Sequence, residues 1–89
     1  MRLDVFLKNT RLIKRRTAAK DAASSGGVLL NGHPAKPGRD VRPGDVLTLL
    51  DEEGRRGIRV RIIQEALRPV PKGREDEFFE RLQVESDPA

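Results

Sequence analysis

Seven cations stand within the first twenty residues of this sequence: Arg2, Lys8, Arg11, Lys14, Arg15, Arg16 and Lys20, opposed only by Asp4. Clusters of this density suit phosphate backbones, because each neutralised phosphate releases a condensed counterion. The plainer reading of a charge run is a solvated helical face. Phosphate binding is favoured because little acidity lies near enough to compensate. Arginine forks make bidentate phosphate contacts, which places Arg2 and Arg16 first. Arg16 and Lys20 are four residues apart, so on a helix they share a face and can track one strand. For Arg2 the alternative is a cation on an unstructured terminus.

Other chemistries find little support. The chain has no cysteine and one histidine, which removes disulfides, thiol chemistry and a zinc site. His33 sits in an expected hairpin turn, where a solvated residue is the default reading. Asp51, Glu52 and Glu53 lack the glycine spacing of a calcium loop and read as a turn. Gly26-Gly27 lacks the spacing of a phosphate-cradling loop. Ser24 and Ser25 have no triad partners. No catalytic residue, metal or cofactor is expected, and the chain is not read as an enzyme. There are three phenylalanines and no tyrosine or tryptophan. Phe6 is assigned to the core, and Phe78 and Phe79 to an acidic tail. No aromatic then remains for base stacking, so RNA shape and phosphates should be read rather than bases.

The 89 residues carry 18 basic and 14 acidic side chains, for a net +4. Residues 1–42 hold ten basic and three acidic groups, a net +7, and residues 43–89 hold eight and eleven, a net −3. The basic half therefore carries the polyanion signal. One domain with a thin core fits this length. Apolar stretches are too short to span a bilayer, and Asp4 and Lys8 interrupt any signal-peptide core. A cytoplasmic protein that avoids membranes is expected.

The hydrophobic spacing supplies the elements. Leu3, Phe6 and Leu7 mark one face of a first helix, with Asp4 and Lys8 as an outer acid–base pair. Asn9-Thr10 breaks it, and Leu12-Ile13 forms a buried pair. A second helix is expected over 14–25, with Ala18, Ala19, Ala22 and Ala23 as its packing stripe and Gly26-Gly27 as its stop. Its basic residues come early and Asp21 late, against the helix dipole, so these charges serve something outside the helix. Strands follow: 28–30, the Asn31-Gly32 turn, a short edge piece limited by Pro34, then 46–50 after the Arg42-Pro43-Gly44-Asp45 turn. Ile58, Val60 and Ile62 alternate with Arg59 and Arg61 as a half-buried strand. Pro69, Pro71 and Gly73 mark a linker. A short acidic helix is expected over 75–83, and disorder over 85–89.

Taken in order, the opening RLDVFLK, the basic helix, the GGVLLNG hairpin and the VRPGDVL strand resemble the RNA-binding domain named after small-subunit ribosomal protein S4. The likeness covers residues 2–50. It implies an α+β fold: two short helices on a small, twisted, mostly antiparallel sheet of four to five strands, with a loose C-terminal helix. Residues 1–64 would form that domain, and 65–89 a linker and acidic tail. The family's RNA-contacting positions fall on Arg2, Arg16 and Lys20, flanked by Lys14 and Arg15, and Lys36 matches a Lys-Pro step after the hairpin. Ala22 and Ala23 depart from a bulkier aliphatic pair, and Arg15 stands where a Ser or Thr cap is usual. Stand-alone chains of this size resemble two groups, the RqcP quality-control family, which looks nearer, and the heat-shock-fifteen family.

The resemblance implies non-catalytic binding to large-subunit rRNA and peptidyl-tRNA on obstructed large ribosomal subunits, as a monomer, in rescue of stalled ribosomes. An alanine-tailing quality-control factor would be a further partner. The RNA-binding set is Arg2, Lys8, Arg11, Lys14, Arg15, Arg16, Lys20 and Lys36. A heat-shock-fifteen-like recycling factor, a basic adaptor for an acidic protein and a DNA-binding module stay open.

Overall fold

The computed structural model describes residues 1–83. Helix α1 spans Leu3–Asn9 and helix α2 spans Arg16–Ser24. A seven-residue helix is marginal in water on its own, and here the rest of the chain completes it. The residue before it, Arg2, is extended and caps nothing with its side chain. The carbonyls of Arg39 and Pro37 instead accept the Leu3 and Asp4 amides at 2.9 and 3.1 Å. The Asp4 carboxylate accepts the Val5 amide at 2.9 Å. Three of the amides that a helix start leaves unpaired are thereby satisfied, and the 36–39 loop is fastened to α1. Leu3, Phe6 and Leu7 are fully buried beneath it.

Arg11 turns the chain out of α1 in the left-handed region, at φ +61. The second helix falls within the expected 14–25 span but starts at Arg16, because Arg15 is extended and leaves Lys14 in the connection. Ala19 and Ala23 are buried and Ala22 is half-buried, so small side chains let α2 approach closely. Gly26, at φ +84, ends the helix, and the Gly27 amide returns to the Ala22 carbonyl at 2.8 Å.

Five strands follow: β1 Val28–Leu30, β2 His33–Pro34, β3 Val46–Leu50, β4 Arg56–Ile62 and β5 Phe79–Leu82. They form one sheet in the order β2-β1-β3-β4-β5, with every neighbouring pair antiparallel. Asn31 and Gly32 both have positive φ, 50 and 89, as the two-residue hairpin requires. The Asn31 side chain donates to Asp45 at 3.1 Å and accepts the Val46 amide at 2.9 Å, which keys this turn to β3. The register sets Val28 opposite Leu49, Leu47 opposite Val60, and Ile62 opposite Phe79. These side chains join Leu3, Phe6, Leu7, Ala19 and Ala23 in one core. The α+β architecture matches the expectation from sequence.

The last element differs from expectation. The 75–83 segment is not a helix: a single 3-10 turn, Glu75–Glu77, leads into β5. Phe78, Phe79 and Leu82 fit helical spacing, but β4 offers an unpaired edge. Pairing with that edge satisfies its backbone groups and buries Phe79 to 6% exposure. The chain between β4 and β5 is also anchored. Asn9 donates to the Ala66 carbonyl at 2.7 Å and accepts the Val70 amide at 2.9 Å, and Ala66 and Val70 are buried. The disorder expected over 85–89 lies outside the described residues. Among the described residues, no helix is long and apolar enough to cross a membrane.

Burial of Phe79 yields a direct prediction. Phe79→Ala should lower the urea unfolding free energy by about 3 kcal/mol. A loose tail would change it by less than about 0.5 kcal/mol.

Candidate RNA interface

The expected outer pair of Asp4 and Lys8 does not form. Asp4 is fully buried, and its carboxylate turns toward Arg2, just before α1, and Arg16, the first residue of α2. Arg2 reaches it as a fork, Nε to one oxygen at 3.0 Å and Nη2 to the other at 3.3 Å. The Arg16 Nε lies 3.6 Å from the second oxygen. One carboxylate thus holds the two arginines that head the functional set, from two different elements. Their side chains remain 50% and 55% exposed, so the guanidiniums are oriented yet open to a ligand. Charges fixed this way bind at a lower entropic cost than freely moving ones.

Burial works against ionisation of Asp4. The hydrogen bond and charge of Arg2, the Val5 amide and the charge of Arg16 together outweigh it, and the carboxyl titrates below its ordinary value.

Other predicted residues gather around this pair. Lys20 is exposed one turn along α2 from Arg16, and Lys14 and Arg15 are exposed in the connection before it. Lys36 is exposed in the loop whose Pro37 and Arg39 carbonyls cap α1. A side chain at Gly38 would lie 3.7 Å from the Arg2 guanidinium, so this loop runs directly beside Arg2. Exposed Arg39 belongs to the same loop and escaped the sequence reading. Its signal was the register of the loop against α1, which no local pattern reveals.

Two members of the set sit differently. Arg11 faces away toward the C-terminal segment, donating to the Val70 carbonyl and to the Glu75 carboxylate. Its guanidinium holds the Glu75 carboxyl below the usual carboxylate range. Arg11 is thus tied to the sheet's far end. Lys8 is half-buried on α1. Asp4 was the important omission. A carboxylate in a first helical turn can accept a backbone amide, but helical spacing pointed to Lys8 instead.

A carboxylate whose folded pKa lies below its unfolded value adds stability above the unfolded value and loses it as pH falls through the folded one. The wild-type chain should therefore lose part of its stability on acidification below about pH 4. Asp4→Asn should cost about 1–3 kcal/mol at neutral pH and shrink this acid loss, as followed by urea titrations at several pH values. Charge alone predicts that removing Asp4's negative charge tightens RNA binding. Orientation of Arg2 and Arg16 predicts weaker binding, and that is the expected result in a gel-shift titration.

Comparison with known proteins bears on the family and the fold. Residues 1–47, more than half the chain, match the S4 domain. The chain is 59% identical over 49 residues to the RQC P-site tRNA stabilizing factor of Bacillus subtilis (strain 168), covering 55% of this chain and 57% of that protein. It is 32% identical over 71 residues to the Heat shock protein 15 homolog of Aeromonas salmonicida, covering 80% of this chain and 54% of that one. The chain thus spans just over half the length of these curated relatives. A trimeric structure of Vibrio cholerae Heat Shock Protein 15 shares the fold at a TM-score of 0.81 and 24% identity, covering 92% of this chain and 81% of that one. The solution structure of hypothetical protein HP1423 aligns at a TM-score of 0.76 and 34% identity, covering 96% and 100% of the two chains. The chain belongs to the S4 domain family.

Proposed function

We propose that this chain is a non-catalytic RNA-binding protein that holds large-subunit rRNA and peptidyl-tRNA on obstructed large ribosomal subunits during rescue of stalled ribosomes. The observation that carries this reading is the pair Arg2 and Arg16, steered by the buried Asp4 within a basic S4 domain. The names of the relatives, which speak of a P-site tRNA, support it. In this reading Arg2, Lys14, Arg15, Arg16 and Lys20 contact phosphates, and Lys36 extends the face from the neighbouring loop. Lys8 lies at its margin. The protein works as a cytoplasmic monomer, and an alanine-tailing factor acts on the nascent chain beside it.

The longer span of likeness to the heat shock protein 15 homolog supports a second reading, a recycling factor for the same obstructed subunits. Affinity purification separates the two. The first reading expects large subunits carrying peptidyl-tRNA together with a tailing factor, and the second expects such subunits without one. Recovery of neither sinks both.

With roughly five phosphates neutralised, log affinity for structured RNA should fall with log salt at a slope near −4. Arg16→Ala should weaken binding to all RNA sequences and flatten the slope by about one unit. Arg11→Ala should instead lower thermal stability and leave the slope unchanged, because its guanidinium is engaged by Val70 and Glu75. An unchanged slope for Arg16→Ala would contradict the assignment.

A further inference from the structure

The helices cover one face of the sheet, and the opposite face carries charge of its own. Leu47 and Val60 are fully buried toward the helices, so their strand neighbours Thr48 and Arg59 point the other way. Leu29, Thr48, Arg59 and Leu82 form one row across four strands, and Val46, Arg61 and Glu80 form the next. An irregularity at Leu49/Leu50 sets Arg56 opposite Leu50. A shallow groove results, lined by Leu29, Val46, Thr48, Arg56 and Arg59 beside the Asn31-Gly32 turn.

The charges on this side are not equivalent. Arg61 is neutralised by Glu80 at 3.1 Å, and Arg55 by Glu53. Among the described residues, Arg56 and Arg59 have no ion-pair partner. Arg59 is half-buried, and Thr48 beside it is only 5% exposed despite facing outward. Its cross-strand neighbours Leu29 and Arg59 must therefore cover Thr48. Half-buried arginines of this kind cover apolar surface with the stem and keep the charged head in water, and Arg59 lines the groove.

We infer that this face is a second phosphate-backbone site, so that one copy of the chain can hold two RNA segments at once, one on the helices and one on the sheet. The inference rests on the RNA-binding reading above and extends it to a second surface. Among the described residues, the groove offers two guanidiniums without an acidic partner, a hydroxyl and an open glycine turn, but no aromatic side chain. That set fits phosphate and sugar contacts rather than base stacking or the aromatic anchors of a protein interface. The two cationic faces lie on opposite sides of the sheet, so one straight duplex engages one of them at a time.

The test uses the full chain with a short RNA duplex carrying either a donor or an acceptor dye. Wild type should bring two duplexes onto one chain in excess RNA, seen as energy transfer and as stoichiometry by sedimentation. The double variant Arg56→Ala with Arg59→Gln should lose the second event and its energy transfer. It should keep first-site affinity within about twofold, because the sites are separate. Arg59→Lys restored on the Arg56 background should recover the second event, which separates charge from folding. Arg16→Ala should weaken the first event and leave the second. If Arg16→Ala leaves the first event intact, the helical assignment fails and the sheet site stands. One duplex per chain in excess RNA would overturn the sheet site. So would a second event that survives the double variant, one that polyglutamate displaces as readily as RNA does, or energy transfer arising from a protein dimer with one duplex per copy.

Discussion

Removing the Asp4 carboxylate from water would be costly if it were left unpaired. In this chain the deficit is met by Arg2, Arg16 and the Val5 amide, each from a different place in the local structure. Arg2 is held in the extended strand that pairs with the 37–41 segment. Arg16 opens α2. The same carboxylate therefore fixes the start of one helix, the approach of the second and the direction of two half-exposed arginine side chains. Stability and side-chain orientation are coupled at this point, because the group that orients the arginines also depends on them for its charge. A surface ion pair could not do this, since solvent would screen it and side-chain motion would blur it.

The loop after β2 extends this logic. It has no regular structure, yet its carbonyls take the place of a helix cap, and its Gly38 lies alongside the Arg2 guanidinium. Arg11 does comparable work at the other end of α1. Its left-handed backbone directs the chain toward α2, and its side chain reaches the segment before β5. The helical layer is thus tied at both ends to parts of the chain remote in sequence. The sheet serves as a platform whose register sets where those ties fall.

Much of this was legible in the sequence because short-range patterns carried it. The i, i+3, i+4 spacing of Leu3, Phe6 and Leu7, the Asn31-Gly32 turn and the alternation from Ile58 to Ile62 each follow from local geometry. The cationic cluster and its leading residues Arg2 and Arg16 were visible from charge density alone. Features decided by partners distant in the chain were hidden. Asp4 has two nearby cations at helical spacing or closer, and only tertiary structure selects Arg2 over Lys8. Phe79 fits a helix locally and becomes a strand residue because β4 has an open edge. Arg11 is chemically indistinguishable from Arg16 in the sequence, and only the position of Glu75 separates their roles.

The capping of α1 also bears on how the protein is made. A ribosome synthesises α1 before the loop carbonyls that cap it, before the β4 residues that share its core, and before the Ala66–Val70 segment that grips Asn9. A helix of this length gains little from its own hydrogen bonds. The basic element must therefore wait, unfolded, while most of the chain is translated. Its competence for RNA arrives only when the sheet closes, which keeps a dense run of cations unstructured through the period when it lies nearest to the RNA of the machine producing it.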